Sequence, residues 1–366
     1  MPGFPGCSWY SETGAPPPRR VITADDTLPA ASAYRLATAG TGFLWTGSFP
    51  GARRLLTALD RRLPRPSADL APAEAFRRHR EARALRARIL GKLLVRLEPG
   101  ARLTTSRAPD VRAACVEAGC STERAFLCSL RDLLGLIGAH EWRRRGVLVP
   151  ALGARIHPHH GVFSPVRGEY VDLVARAPLP TGARTALDIG TGTGVLAAVL
   201  ARRGVPSVLA SDSSARAVAC AEDNLTRLGL TGRVTVTEAD VFPARARAPL
   251  VVCNPPWLPG RAASALDAAV YDPGSRMLRA FLDRLPRHLE PDGEAWLILS
   301  DFAELAGLRT REELLGRIDR AGMKVVGRLD TAPRHRRALD PADPLHALRA
   351  AEVTSLWRLK PSTMAG

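Results

Sequence analysis

The sequence predicts an α/β fold: a seven-stranded, mostly parallel sheet with its last strand antiparallel, preceded by a mainly helical domain. Three observations carry this. From Arg184 onward, short apolar runs alternate with amphipathic stretches, the pattern of parallel strands joined by crossover helices. Three glycines, Gly190, Gly192 and Gly194, fall between the first such run and the first helix. Before Pro150, by contrast, apolar residues recur at spacings of three and four among runs of arginine.

In chain order, residues 1–30 are rich in Pro, Ser and Thr and read as a loose arm. Residues 31–155 form the helical domain. Leu36, Phe43, Leu44, Leu55, Leu56 and Leu59 define a first helical stretch, stopped by Leu63-Pro64-Arg65-Pro66. A second runs from Ala73 to Leu94 and a third from Glu123 to Ile137, ending at Gly138, with a short strand pair around Leu93–Leu103. Residues 156–366 form the α/β domain. Its strands are read at Thr185–Ile189, Ser207–Asp212, Val234–Glu238, Leu250–Cys253 and Ala295–Ser300, and its helices at Val195–Arg203, Ser214–Leu228, Ser275–His288 and Arg311–Ala321. Two last strands, Lys324–Leu329 and Thr354–Leu359, are joined by a Pro- and His-bearing loop without a crossover helix and so pair antiparallel.

The 366 residues are 46% hydrophobic and 24% charged, values of an ordinary globular chain with ample length for two domains. The net charge of +16 is uneven: residues 1–165 carry 25 Lys+Arg against 13 Asp+Glu, and residues 166–366 carry 27 against 23. The excess favours phosphate-rich or acidic partners of the first part and says little of the second. Six cysteines lack C-x-x-C or zinc spacing, no 18-residue apolar stretch occurs, and the N-terminus lacks a secretory pattern. These point to a cytoplasmic chain without disulfides, metal or membrane span.

The chemistry sits at the carboxyl ends of the strands. Asp188-Ile189-Gly190-Thr191-Gly192-Thr193-Gly194 links a strand to a helix whose first N–H groups are free to meet a ligand. Gly192-x-Gly194-x-x-Ala197 with Asp212 twenty residues on also satisfies a dinucleotide fingerprint, which keeps a nicotinamide or flavin enzyme open. Asp212 ends the second strand, where a carboxylate accepts both hydroxyls of a ribose. After the third strand, Asp240 can accept from an adenine amino group, with Val241 and Phe242 flanking the ring. Asn254-Pro255-Pro256-Trp257 follows the fourth strand. Its two prolines fix the exit direction of the chain, so the Asn254 amide oxygen and the Pro255 carbonyl form an acceptor pair for a planar –NH2 group, with the Trp257 face to stack on.

Arg184 to Leu258 resembles the class I S-adenosylmethionine-dependent methyltransferases of the "small domain" group, which includes the release-factor glutamine methyltransferases and exocyclic-amino methyltransferases of DNA and RNA. The resemblance rests on Asp188 to Gly194, Asp212, Ala221-Glu222-Asp223-Asn224, Asp240-Val241-Phe242 and Asn254 to Trp257. It implies a Rossmann-like methyltransferase fold and S-adenosylmethionine bound along Phe163, Asp188, Gly190, Thr191, Gly192, Gly194, Asp212, Ser213, Asp240, Val241 and Asn254, with Phe163 supplied by the lead-in Gly161 to Pro165. Catalysis is implied at Asn254, Pro255, Pro256 and Trp257. Trp257 departs from the tyrosine usual in the release-factor enzymes.

The expected reaction is methyl transfer to a planar amide or amino nitrogen, with a glutamine side chain of a translation protein as the leading substrate. An exocyclic amino group of rRNA, tRNA or DNA is the alternative, and a non-catalytic RNA- or subunit-binding module is a third reading. His157, His159 and His160 read as loop residues by the site rather than metal ligands, and Cys253 as a packing residue. Tyr271 and Asp272 fit either a substrate wall or a turn.

Overall fold

A computed structural model of the chain describes residues 6–65 and 70–362. It divides into two compact units, one formed by residues 1–70 and 74–144, the other by 71–73 and 145–366.

The N-terminal unit corrects the expectation of a mainly helical domain. Its helices Ala30–Thr38, Phe49–Arg61, Pro72–Leu90 and Leu130–Arg145 accompany a six-stranded mixed sheet in the order Ser8–Trp9, Phe126–Ser129, Leu93–Glu98, Gly42–Trp45, Val21–Ala24, with Arg102–Leu103 paired on Leu93–Glu98. The expected strand pair near Leu93–Leu103 is thus one corner of a larger sheet. The loose arm is also corrected: Ser8–Trp9 and Val21–Ala24 lie in that sheet, while residues 1–5 fall outside the described residues. Phe43 and Leu44, read as helical, stand in a strand, and the third helix begins at Leu130 and runs past Gly138 to Arg145. The reason is length. Runs of four such as Gly42–Trp45 and Phe126–Ser129 are too short to display a period, and their apolar residues blend into the flanking helical pattern. Phe43, Trp45, Leu93, Val95, Leu97, Phe126 and Cys128 form the core of this unit.

The C-terminal unit starts before residue 156. The antiparallel pair Val147–Val149 and Ala154–Ile156 belongs to it, and Val149, Leu152 and Ile156 enter its core. Its sheet strands are β1 (Thr185–Ile189), β2 (Ser207–Asp212), β3 (Val234–Glu238), β4 (Ala248–Cys253), β5 (Leu289–Ser300), β6 (Met323–Thr331) and β7 (Thr354–Pro361). They lie in the order β3-β2-β1-β4-β5-β7-β6, with β7 antiparallel to both neighbours. The connection from β6 to β7 is not a plain loop, since it holds the six-residue helix His346–Ala351.

Alternate strand residues serve opposite layers. Leu250, Val252, Trp296 and Ile298 pack with the helices Glu169–Arg176 and Val195–Arg202. Val251, Cys253, Leu297 and Leu299 pack with Arg276–His288 and Arg311–Arg320. A sheet covered on both faces is why these strands read as nearly unbroken apolar runs. The order reverses between β1 and β4, which opens a crevice at their carboxyl ends.

Candidate active site

That crevice holds a cavity of about 570 Å³, within the range of small-molecule sites. Gly190, Thr191 and Gly192 line it from the loop after β1, Asp212 and Ser213 from β2, Asp240 and Val241 from the end of β3, and Asn254 to Trp257 from the end of β4. Phe163 lines it from the lead-in segment.

The glycine loop is built from below. Asp188, 1% exposed, accepts through Oδ2 from the Thr191 hydroxyl at 2.7 Å and the Ala197 N–H at 3.0 Å, tying strand, loop and helix together. Its Oδ1 has no hydrogen-bond partner among the described residues. Burial pushes the carboxyl up to about 6, against the pull of those two bonds, and Asp212 adds a smaller upward push. Asp188 and Gly194 do not line the cavity; they support it. Gly194 at φ 79° starts the Val195–Arg202 helix, and a Cβ there would stand 3.2 Å from the Cα and Cβ of Ala221, so glycine lets two helices approach.

Asp212 reaches across to the loop. Its Oδ2 accepts from Gly192 N–H at 3.0 Å and its Oδ1 from Ser214 N–H at 3.0 Å, while burial pushes its carboxyl up. Both oxygens keep lone pairs for hydroxyl donors. The helix cap is Ser214, whose hydroxyl accepts from Ala217 N–H, so Asp212 is left to face the cavity. Asn224 ties the chain ahead of the lead-in segment to the glycine loop: it accepts from His157 N–H at 2.7 Å and donates to the carbonyls of His157 and Thr193.

At the end of β3 the structure departs from expectation. Phe242 is buried away from the cavity, stacked on the His288 ring at 4.1 Å and beside Phe281. Val241 lines the cavity at φ 69°, a left-handed conformation rare for a β-branched residue. Asp240 shares its carboxylate with Arg276 and Arg284, and Arg284 also donates to its backbone carbonyl.

The Asn254 turn is held by its own tryptophan. The Trp257 indole N–H donates to Asn254 Oδ1 at 2.8 Å, so the departure from tyrosine supplies a donor that orients the amide. The Arg167 guanidinium lies over the same indole, 5.3 Å from its centroid. Tyr271 and Asp272 do not line the cavity. Asp272 accepts from Met277 N–H at 2.6 Å at the start of the Arg276–His288 helix, a turn role. His159 pairs with Asp223 and His160 with Arg216, and among the described residues no group of three His, Cys, Asp or Glu stands poised for a metal. Burial pushes the Cys253 thiol well up, as befits a packing residue. No helix of the described residues is long and apolar enough to cross a membrane.

Arg167, Tyr170, Arg216 and Met277 line the cavity without having been singled out in the sequence. Arg167 had a weak signal, two residues beyond the lead-in. The others stand in helices with no local motif, and only packing brings them to the crevice.

Residues 153–319 match the methyltransferase small domain family. A release factor glutamine methyltransferase of Cereibacter sphaeroides is 32% identical over 169 residues, covering 40% of this chain and 60% of that protein. A tRNA1(Val) (adenine(37)-N6)-methyltransferase of Vibrio cholerae is 34% identical over 133 residues, covering 33% and 55%. A ribosomal RNA small subunit methyltransferase C of Alcanivorax borkumensis is 34% identical over 113 residues, covering 31% of each chain. The chain thus spans less than two thirds of the length of these relatives. The glycine loop and the Asn254 turn both fall within residues 153–319, the span that is similar to the methyltransferase small domain family.

Proposed function

We propose that the C-terminal unit is an S-adenosylmethionine-dependent methyltransferase acting on a planar nitrogen, and that this nitrogen is the side-chain amide of a glutamine in a protein of the translation machinery, in the cytoplasm. The single observation that carries the reading is the Asn254 to Trp257 turn, in the wall of the same cavity as Asp212 and the glycine loop. The cavity suits the cofactor: it is large enough, and Asp212 offers two carboxylate oxygens with lone pairs to spare beside a loop with open backbone. Asp212 would hold the ribose hydroxyls, Gly190 to Thr193 the methionine end, and Val241 with Asp240 the adenine, Asp240 keeping lone pairs beyond those used by Arg276 and Arg284.

S-adenosylmethionine supplies an electrophilic methyl group on a cationic sulfur. An amide or amino nitrogen is a weak nucleophile because its lone pair is delocalised. Asn254 Oδ1, with one lone pair on the Trp257 N–H and one free, takes one hydrogen of the target –NH2, and the Pro255 carbonyl takes the other. Two fixed acceptors favour a pyramidal nitrogen and stabilise the positive charge that develops on it, which is where the rate gain lies. The proton becomes acidic on alkylation and needs no dedicated base before attack.

A second reading, methylation of an exocyclic amino group of rRNA, tRNA or DNA, is favoured by the net charge of +12 on residues 1–165. Calorimetry with S-adenosylmethionine, followed by tritiated-methyl labelling of a cell extract, tests both. Label released by protease supports the glutamine reading, and label released by nuclease replaces it with the second. Absence of cofactor binding overturns both and returns a non-catalytic binding module.

A further inference from the structure

We infer that Arg167, clamped by the buried Glu352, is a positioning residue that sets the hydrogen-bonding direction of Asn254 through Trp257. The inference rests on Asn254 as the acceptor for the target nitrogen.

Four contacts form a continuous chain from Ser300 to Asn254. Arg167 donates through Nη2 to Glu352 Oε1 at 2.9 Å, and Glu352 is 1% exposed. The same oxygen accepts from the Ser300 hydroxyl at 2.6 Å. The guanidinium then lies 5.3 Å from the Trp257 centroid, and the indole N–H reaches Asn254 Oδ1 at 2.8 Å. Each anchor is itself fixed. Ser300 ends β5, and Val353, next to Glu352, exchanges hydrogen bonds with Asp301 through both its N–H and its carbonyl. Arg167 stands between the turn closed by Val166 N–H on Ser164 O and the Glu169–Arg176 helix.

The physical consequences are two. A guanidinium that spends one nitrogen on a buried carboxylate and lies over an indole is not free to search for a substrate anion, although it lines the cavity. Its role is to hold the ring, through the attraction of a cation for the face of an indole. It also draws electron density from the ring, making the N–H a stronger donor. Asn254 otherwise rotates freely about a broad terminal torsion, with oxygen and nitrogen nearly equal in shape. The Trp257 donor selects the orientation in which the oxygen, not the –NH2, lies by the ring, and Arg167 keeps that donor in place. An Asn254 amide turned over would present donors to the target –NH2 and could not grip it.

The test uses the full chain labelled with ¹⁵N. The indole resonance of Trp257 is assigned by its disappearance in Trp257→Phe. Arg167→Ala and Glu352→Gln should each shift that resonance, as should Asn254→Ala, which removes its acceptor. Affinity for S-adenosylhomocysteine by calorimetry should stay within about twofold, while methyl transfer into a cell extract falls about ten- to a hundredfold, the loss expected for a misdirected group near the reacting atoms. Arg167→Lys keeps the charge but not the flat face, and should not restore the rate. Either Arg167→Ala or Glu352→Gln suffices, whichever folds, because they open the same clamp from opposite ends. An unmoved indole resonance overturns the inference, as does wild-type transfer by Arg167→Ala or a fall in cofactor affinity that accounts for the lost rate. Should the wild-type chain transfer no methyl group at all, the proposed reaction falls, and the indole resonance alone decides whether Arg167 holds Trp257.

Discussion

The hydroxyl of Ser211, at the end of β2, donates a 2.9 Å hydrogen bond to the carbonyl oxygen of Val241 beyond β3, and both residues are buried. Val241 sits at φ 69°, where a β-branched side chain is strained by about 1–3 kcal/mol unless its surroundings hold it. Ser211→Ala removes that tether and leaves a buried carbonyl short of a partner. It should lower stability by about 1–3 kcal/mol in urea unfolding and weaken S-adenosylhomocysteine several-fold. Unchanged affinity in a destabilised variant would separate Val241 from the cofactor.

Asp212→Asn keeps the shape of the side chain but removes the charge from the acceptor. A charge-assisted hydrogen bond is worth about 1.5–3 kcal/mol, so calorimetric affinity for S-adenosylhomocysteine should fall by about ten- to a hundredfold. Affinity equal to wild type would dismiss Asp212 as the ribose residue.

The buried Asp188 links stability to pH. Its folded value of about 6 lies above its ordinary 3.8, so between about pH 4 and pH 6 the native state holds more protons than the unfolded one. Its contribution to stability is therefore highest below pH 4 and declines as pH rises through 6, by about 3 kcal/mol in all. The difference in unfolding free energy between the wild type and Asp188→Asn, followed from pH 4 to pH 7, should move in that direction. A flat difference would mean that the carboxyl is not strained by burial.

Glycines 192 and 194 should respond differently to alanine. At position 194 a Cβ adds a 3.2 Å contact with Ala221 to an unfavourable φ of 79°, for a loss of about 1–3 kcal/mol. At position 192, where φ is 56° and no atom of the described residues would lie within 4 Å of an added Cβ, only the backbone cost of about 1–2 kcal/mol applies. Thermal unfolding should rank Gly194→Ala below Gly192→Ala, and the reverse order would remove the helix contact as the cause.

Asn254→Ala should lower methyl transfer by about two to three orders of magnitude with cofactor affinity nearly intact, the signature of a group that acts in the transition state. Equal rates in the variant and the wild type would refute its role.

The strands around the site were legible because each is a short run rich in apolar or β-branched residues bounded by turn residues: Thr185–Ile189, Ser207–Asp212 and Val234–Glu238 stand where the sequence places them. The sheet of the N-terminal unit was not, because all but one of its strands are only two to four residues long, show no period of their own and are completed only by pairing, as when Gly42–Trp45 joins Leu93–Glu98. Phe242 shows the same limit at a single residue: its place beside Val241 suggests a cofactor wall, yet the turn at Val241 sends its ring onto His288.

By itself the sequence determined the order of the seven sheet strands in the C-terminal unit and the two rigid turns of its crevice, because glycine spacing and paired prolines act on the backbone locally. Tertiary structure alone decided which neighbours these turns meet. Arg167 and Glu352 are 185 residues apart in the chain and 2.9 Å apart in space, and no local pattern encodes that contact. It exists because β5 and β7 pair antiparallel, setting Glu352 beside Ser300 and beneath the guanidinium that covers Trp257.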